Sequence, residues 1–210
     1  KMKKKFRVLI LFIILFSISI ISNFTLFSKP NLLMDGDIIF QKTKTMQASA
    51  LFKATGSDIT HVGVIFFYNG KPYVIEALNP VRKTPYGRFV KRYGKGTCIV
   101  KRLSNRNEFT AVEISVLRRK CETFIGKKYD FLFRWSNDKI YCSELVWKAY
   151  RNALDIELGT LQKINDFDLS STEVKRLMKR RGVDKQSMNE TVITPVSIFN
   201  DPRLITVKVE

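Results

Sequence analysis

The chain holds one histidine, His61, and three cysteines, Cys98, Cys121 and Cys142. A thiol and an imidazole suffice for nucleophilic acyl transfer. The ring takes the thiol proton, and the thiolate is the form that attacks. A lone histidine is more often structural than catalytic, but the local sequence offers this one a carboxylate partner. Residues 61–68 (HVGVIFFY) are β-branched and aromatic, Asn69-Gly70 is a strong two-residue hairpin signal, and 71–78 (KPYVIEAL) form the returning strand. With Asn69 and Gly70 as the loop, Tyr68 pairs with Lys71 and Gly63 with Glu76. His61 lies on the face of Gly63, because strand side chains alternate. Glu76 is then its diagonal neighbour, within reach of a long side chain, and Gly63 leaves the approach open. A carboxylate there holds the ring orientation and stabilises the imidazolium. The plainer reading makes Glu76 a half-buried strand residue paired with a lysine. Its apolar neighbours in VIEAL would make an unpaired Glu costly.

Cys142 opens a helix whose buried face is spaced through Leu145, Val146, Ala149, Tyr150 and Ala153. A thiol at a helix start feels the positive end of the macrodipole, and a protonated His61 beside it would favour the thiolate further. The first-turn N–H groups have no intrahelical acceptor, so they are available to an oxyanion. Taken alone, Cys142 reads more readily as a small, inert buried hydrophobe; the His61–Glu76 hairpin reverses that preference. Cys98 and Cys121 fall on core patterns and are expected to be buried and non-catalytic. A disulfide between them and two separate buried thiols both stay open.

The elements that must position these groups follow from the pattern. Asp35-Gly36-Asp37 reads as a turn before a strand at 38–40, and residues 42–55 as a helix broken by Gly56. Pro80, Pro85 and Gly87 mark a loop, 97–103 a strand, and 108–125 an amphipathic helix with Gly126 as its C-cap. An aromatic-rich loop, YDFLFRWSND, leads to the Cys142 helix. The tail carries a basic helix at 171–181 and strand-like pieces at 191–198 and 204–209. Strands flanked by helices make the fold class α+β.

Several separated blocks carry a resemblance: GDIIFQ (36–41), ITHVGVIF (59–66), KPYVIEAL (71–78), GKKYDFLFRWSNDKIYCSELVWKAY (126–150), FDLS (167–170) and ETVITPVSIF (190–199). In order and spacing the chain from Met34 onward resembles the YiiX-like permuted papain-like cysteine amidases, relatives of the NlpC-type cell-wall peptidases. The resemblance implies a circularly permuted papain-like fold, with an antiparallel sheet, flanking helices and the His strand before the Cys helix. It implies Cys142 as nucleophile, His61 as base, Glu76 as the residue orienting it, and Tyr129 beside the substrate or oxyanion. Lys128 stands where the family often has Pro, a difference of loop stiffness. No metal or organic cofactor is called for, since His61 has no companion ligands in the sequence pattern.

Lys1, Lys3, Lys4, Lys5 and Arg7 precede an uncharged apolar run from Val8 to Phe27. A basic cluster followed by such a run reads as a signal peptide or membrane anchor over residues 1–28, with a hydrolase domain over 29–210 outside the cytoplasm. The formal net charge is +18, but zinc-ligand spacing, RNP-like aromatics and an Arg stripe are missing, so nucleic acid is not the expected partner. The expected substrate carries an amide or ester, in a peptidoglycan peptide or a lipid of the cell envelope. Two further classes remain: an acyltransferase or thioesterase on lipid acyl groups, and a non-catalytic envelope-binding module.

Overall fold

A computed structural model describes residues 32–94 and 97–210. The chain divides after Leu32 into two units. The second, Leu33–Glu210, carries the fold described here. The signal or anchor expected over residues 1–28 lies outside the described residues. Among the described residues no helix is long and apolar enough to cross a membrane.

The framework is an antiparallel sheet of six strands: β1 (Asp37–Gln41), β2 (His61–Tyr68), β3 (Lys71–Glu76), β4 (Arg82–Pro85), β5 (Cys98–Leu103) and β10 (Leu204–Val209), in the order β10-β5-β1-β2-β3-β4. Two short pairs stand apart, β6 (Lys128–Tyr129) with β7 (Lys139–Ile140) and β8 (Gln162–Lys163) with β9 (Thr191–Val192). The helices are α1 (Met46–Thr55), α2 (Tyr86–Lys91), α3 (Ala111–Glu122), α4 (Cys142–Leu154), α5 (Thr172–Arg181) and α6 (Pro195–Phe199).

β1 and β2 are central and apolar on both faces, as strands covered on both sides must be. One face carries Ile38, Phe40, Val62, Val64, Phe66 and Ile75, packed on Leu117 and Cys121 of α3 and on Leu145, Val146, Ala149 and Tyr150 of α4. The other carries Ile39, Ile65, Val74, Cys98 and Val100 under Phe89 of α2. The antiparallel sheet with its flanking helices is the expected α+β fold, with the His strand before the Cys helix. The hairpin register is the one derived from Asn69-Gly70: Tyr68 faces Lys71 and Gly63 faces Glu76.

Four expectations change. The stretch from Pro80 to Gly87 is not a simple loop, because Arg82–Pro85 pairs with β3 and Tyr86 starts a helix. β4 is an edge strand, the one place in a sheet where Pro85 and exposed Arg82 and Lys83 are tolerated. The β-branched stretch 191–198 is strand only at Thr191–Val192. Thr194 then caps α6, accepting from Ser197 N at 3.1 Å, and Pro195 takes the first helical position. The helices expected at 42–55 and 108–125 are shorter, starting at Met46 and Ala111, where Thr45 and Thr110 provide N-caps. Cys98 and Cys121 are free and buried; they belong to the cores on opposite faces of the sheet, which rules out a disulfide between them.

Candidate active site

His61 begins β2 opposite Gln41 of β1 and is 7% exposed. Its Nε2 lies 2.6 Å from Oε2 of Glu76, which has no exposed surface. The close approach depends on Gly63: a Cβ there would lie 2.8 Å from the Ile75 carbonyl oxygen and 3.3 Å from the Glu76 Cβ. Glu76 has further donors. Thr84 Oγ1 donates to Oε1 at 2.6 Å, and the Arg92 guanidinium grips both oxygens, at 2.9 Å and 2.5 Å. Burial alone would raise the carboxyl pKa; the hydrogen bonds from Arg92 and His61 outweigh it and bring the value down to about 2. Phe89 stacks on the imidazole with ring centroids 5.8 Å apart, and the Arg92 guanidinium lies 5.1 Å from the centre of the same phenyl ring.

Cys142 is the first residue of α4 and is 3% exposed. The helix start is tied to the tail at Ile193, whose N–H donates to Tyr141 Oη at 3.1 Å and whose carbonyl accepts from Ser143 Oγ at 2.7 Å. The His61 ring and the backbone N–H groups of Val62 and Ser143 lie close enough to the thiol to stabilise its charged form. Glu76 occupies Nε2, so Nδ1 is the ring nitrogen left for the thiol. Burial pushes the Cys142 thiol up, but the His61 contact and charge and the two N–H groups bring it below the ordinary thiol value. Burial would likewise depress His61, yet its contacts with Cys142 and Glu76 raise it to about 9. Both shifts act in the direction of a thiolate–imidazolium pair.

Tyr129 reaches the same point. Its strand β6 runs parallel to β7, placing Tyr129 beside Ile140, two residues before Cys142. The phenol lies close enough to Cys142 to feel its charge and accepts from Gln47 Nε2 at 2.8 Å. Burial first, and then the Cys142 charge, hold its pKa well above the ordinary range, so the hydroxyl keeps its proton as a donor. Gln47 is held in turn by Arg181 of α5, whose guanidinium donates to Gln47 Oε1 at 2.8 Å. That contact fixes which end of the amide faces the phenol.

Cys142 lines a narrow apolar cavity of about 110 Å³, walled by Ala50, Leu51, Phe167, Leu177 and Val192 among others. His61 lines a separate, more polar cleft of about 260 Å³ with Thr60, Asn79 and Arg92. Gln47 and Tyr129 border both.

With this geometry in view, the comparisons decide the family. The model of the family described as permuted papain-like amidase enzyme, YaeF/YiiX, C92 family, matches residues 32–208. The chain belongs to that family. The uncharacterized protein YiiX of Escherichia coli (strain K12) is 40% identical over 175 residues, covering 83% of this chain and 86% of the relative. The crystal structure of metalloprotein YiiX from Escherichia coli O157:H7 superposes with a TM-score of 0.78 at 39% identity, covering 84% of this chain and 97% of that one.

In this permuted papain-like amidase the structure brings His61, Glu76, Cys142 and Tyr129 together. It also brings in side chains that sequence reasoning missed. Arg92, Thr84 and Phe89 come from the stretch read as a loop or left unassigned, and Gln47 and Arg181 from elements that carried no motif. Cys98 and Cys121 lie buried in the two cores, and burial raises both thiols.

Proposed function

We propose that this enzyme cleaves amide bonds through a covalent acyl-enzyme formed on Cys142. The observation that carries the reading is the buried chain of contacts Cys142–His61–Glu76–Arg92, which lowers the thiol and raises the imidazole. The Cys142 thiolate attacks the carbonyl carbon. The oxyanion accepts hydrogen bonds from the Tyr129 hydroxyl and from first-turn N–H groups of α4. As the C–N bond breaks, His61 gives its proton to the departing amine; it then takes a proton from water, which attacks the thioester and frees the acid and the thiol. Glu76 holds the ring and balances its charge throughout. The reading places the domain outside the cytoplasm, with the basic and apolar residues 1–28 as signal or anchor, and the amide in an envelope component.

The E. coli relative is described as a metalloprotein. In this chain no group of three or more His, Cys, Asp or Glu side chains among the described residues is arranged to hold a metal. Both Glu76 oxygens are taken by Arg92, Thr84 and His61, so the donor set does not fit a cation and no step runs through one.

The apolar cavity at Cys142 supports a second reading in which the acyl portion is a lipid chain, released to water or passed to another acceptor. A turnover assay of N-acyl amines, peptide amides and muropeptides, with product analysis, separates the two. Cys142→Ala and His61→Ala are expected to abolish every activity found; full turnover by either variant would overturn the mechanism.

A further inference from the structure

Beside the cavity and the cleft runs a third hollow, a groove of about 580 Å³ lined by Thr45, Met46, Gln47, Phe131, Leu132, Leu177, Arg180 and Arg181. It adjoins the cleft of His61 through Thr45, Gln47 and Phe131, and the apolar cavity of Cys142 through Gln47, Leu132, Leu177 and Arg181. Two arginines line it and no Asp or Glu does.

Neither arginine has an anionic partner among the described residues. Arg181 donates to the Phe131 carbonyl at 3.1 Å and to Gln47, and lies 5.3 Å from the ring centres of Phe131 and Phe133. Arg180 is exposed and donates to Met46 Sδ at 3.6 Å. Two carboxylates stand nearby. The field of Asp130 reaches Arg181, but its oxygens accept from Leu132 N and Arg134 N, both at 2.9 Å. Glu173 lines the adjoining hollow with Arg176 and Arg180, without an ion pair to either. The first turn of α1, Thr45 to Gln47, also faces the groove, and that turn holds no acidic residue. Its helix start adds partial positive charge to a wall that is already cationic. A guanidinium held against aromatic rings with no carboxylate partner suits recognition of an oxyanion.

We infer that this groove binds an anionic group, a phosphate or carboxylate, on the amine side of the substrate, with Arg180 and Arg181 as its ligands. The direction takes the apolar cavity of Cys142 as the acyl site. An acyl portion in the apolar cavity turns the departing amine toward His61, and the cleft of His61 continues over Thr45 and Phe131 into the groove. The inference rests on the acyl-transfer reading above and gives it a substrate class: N-acyl amines whose amine portion carries a negative charge.

Three amides with one acyl chain test it on the full chain: N-decanoyl-phosphoethanolamine, N-decanoyl-β-alanine and neutral N-decanoylethanolamine. The expected result is a kcat/KM for the charged substrates about 10-fold or more above the neutral one, carried mainly by KM. Raising the salt concentration should shrink that ratio, and Arg180→Gln with Arg181→Gln should abolish it. The better of the two anions then identifies the source as phosphate or carboxylate. A ratio near one, or one that persists in the double variant, would overturn the subsite. Calorimetric binding of N-decanoyl-phosphoethanolamine to Cys142→Ala, with and without the two Arg→Gln changes, reads the subsite without turnover. Absence of turnover with charge-dependent binding would overturn the hydrolase reading and keep the subsite; equal binding by both proteins would overturn the subsite itself.

Discussion

At Glu76 a carboxylate with no exposed surface accepts from Thr84, from both terminal nitrogens of Arg92 and from His61. Held charged down to about pH 2, it acts on His61 as a fixed negative charge across the working range. His61 therefore keeps its proton up to about pH 9, while Cys142 gives up its proton below the ordinary thiol value. The same shifts carry stability signs. The depressed Glu76 contributes stability that is present above its ordinary 4.5 and lost as pH falls through about 2. The raised His61 contributes stability present below 6.5 and lost as pH rises through about 9. Two outcomes follow for the chemistry. Iodoacetamide should label Cys142 ahead of Cys98 and Cys121, with a rate that stays high well below pH 9, and turnover should decline above about pH 9 as His61 loses the proton it gives the leaving group. Mass spectrometry of the labelled thiols and a pH–kcat/KM profile read both; faster labelling of either core thiol would count against the assignment. Glu76→Gln removes the fixed charge, so His61 should titrate lower and Cys142 higher, narrowing the window from both sides. The expected drop in turnover is roughly ten- to a thousandfold. A folded Glu76→Gln enzyme with an unchanged profile would remove Glu76 from the mechanism.

The hairpin β2–β3 delivers His61 to Glu76, and at Gly63 it has no room for a methyl group. A Cβ there would stand 2.5 Å from Val74 Cγ1 and 2.8 Å from the Ile75 carbonyl oxygen. Gly63→Ala should therefore cost about 1–3 kcal/mol in overpacking. It should also lower turnover, because the strand that must shift is the one carrying Glu76. Thermal denaturation beside an activity assay checks this, and a variant equal to wild type in both would show that the strands part without cost. This element was legible in the sequence because a two-residue Asn-Gly loop fixes the register outright, and the register alone pairs Gly63 with Glu76. The Cys142 helix was legible through the helical spacing of Leu145, Val146 and Ala149. Tyr129 was named only through family resemblance, since a strand of two residues has no period to count. Arg92 and Thr84 escaped for a related reason. β4 is four residues long, includes Pro85, and turns only Thr84 fully inward, so its pattern resembles a polar loop. The contact between Gln47 and Arg181 joins residues 134 positions apart, and nothing local in either segment announces the other.

Over the whole molecule the chain is strongly basic, at +18, and the chemistry of its thiols bears on where it works. Cys98 and Cys121 have no exposed surface and lie in separate cores. Neither can reach the other or a solvent thiol without unfolding, so both tolerate an oxidising compartment as reduced side chains. We propose residues 1–28 as the route to such a compartment, on a cluster of Lys1, Lys3, Lys4, Lys5 and Arg7 followed by an uncharged run from Val8 to Phe27. As a helix, about 20 residues span the roughly 30 Å of a bilayer core, and a cluster of lysines stays on the cytoplasmic side. The hydrolase domain is then expected on the far side, where its cationic surface meets anionic envelope polymers and lipid head groups. Reporter fusions after residue 28 test the arrangement directly. A reporter that matures only outside the cytoplasm should be active and one that works only inside should be silent; the reverse pattern would overturn the topology. Replacing the five basic residues of the cluster with neutral ones should weaken the orientation and divide the signal between the two reporters. An unchanged distribution after that replacement would mean that the cluster does not set the orientation, and another feature of the segment would have to do so.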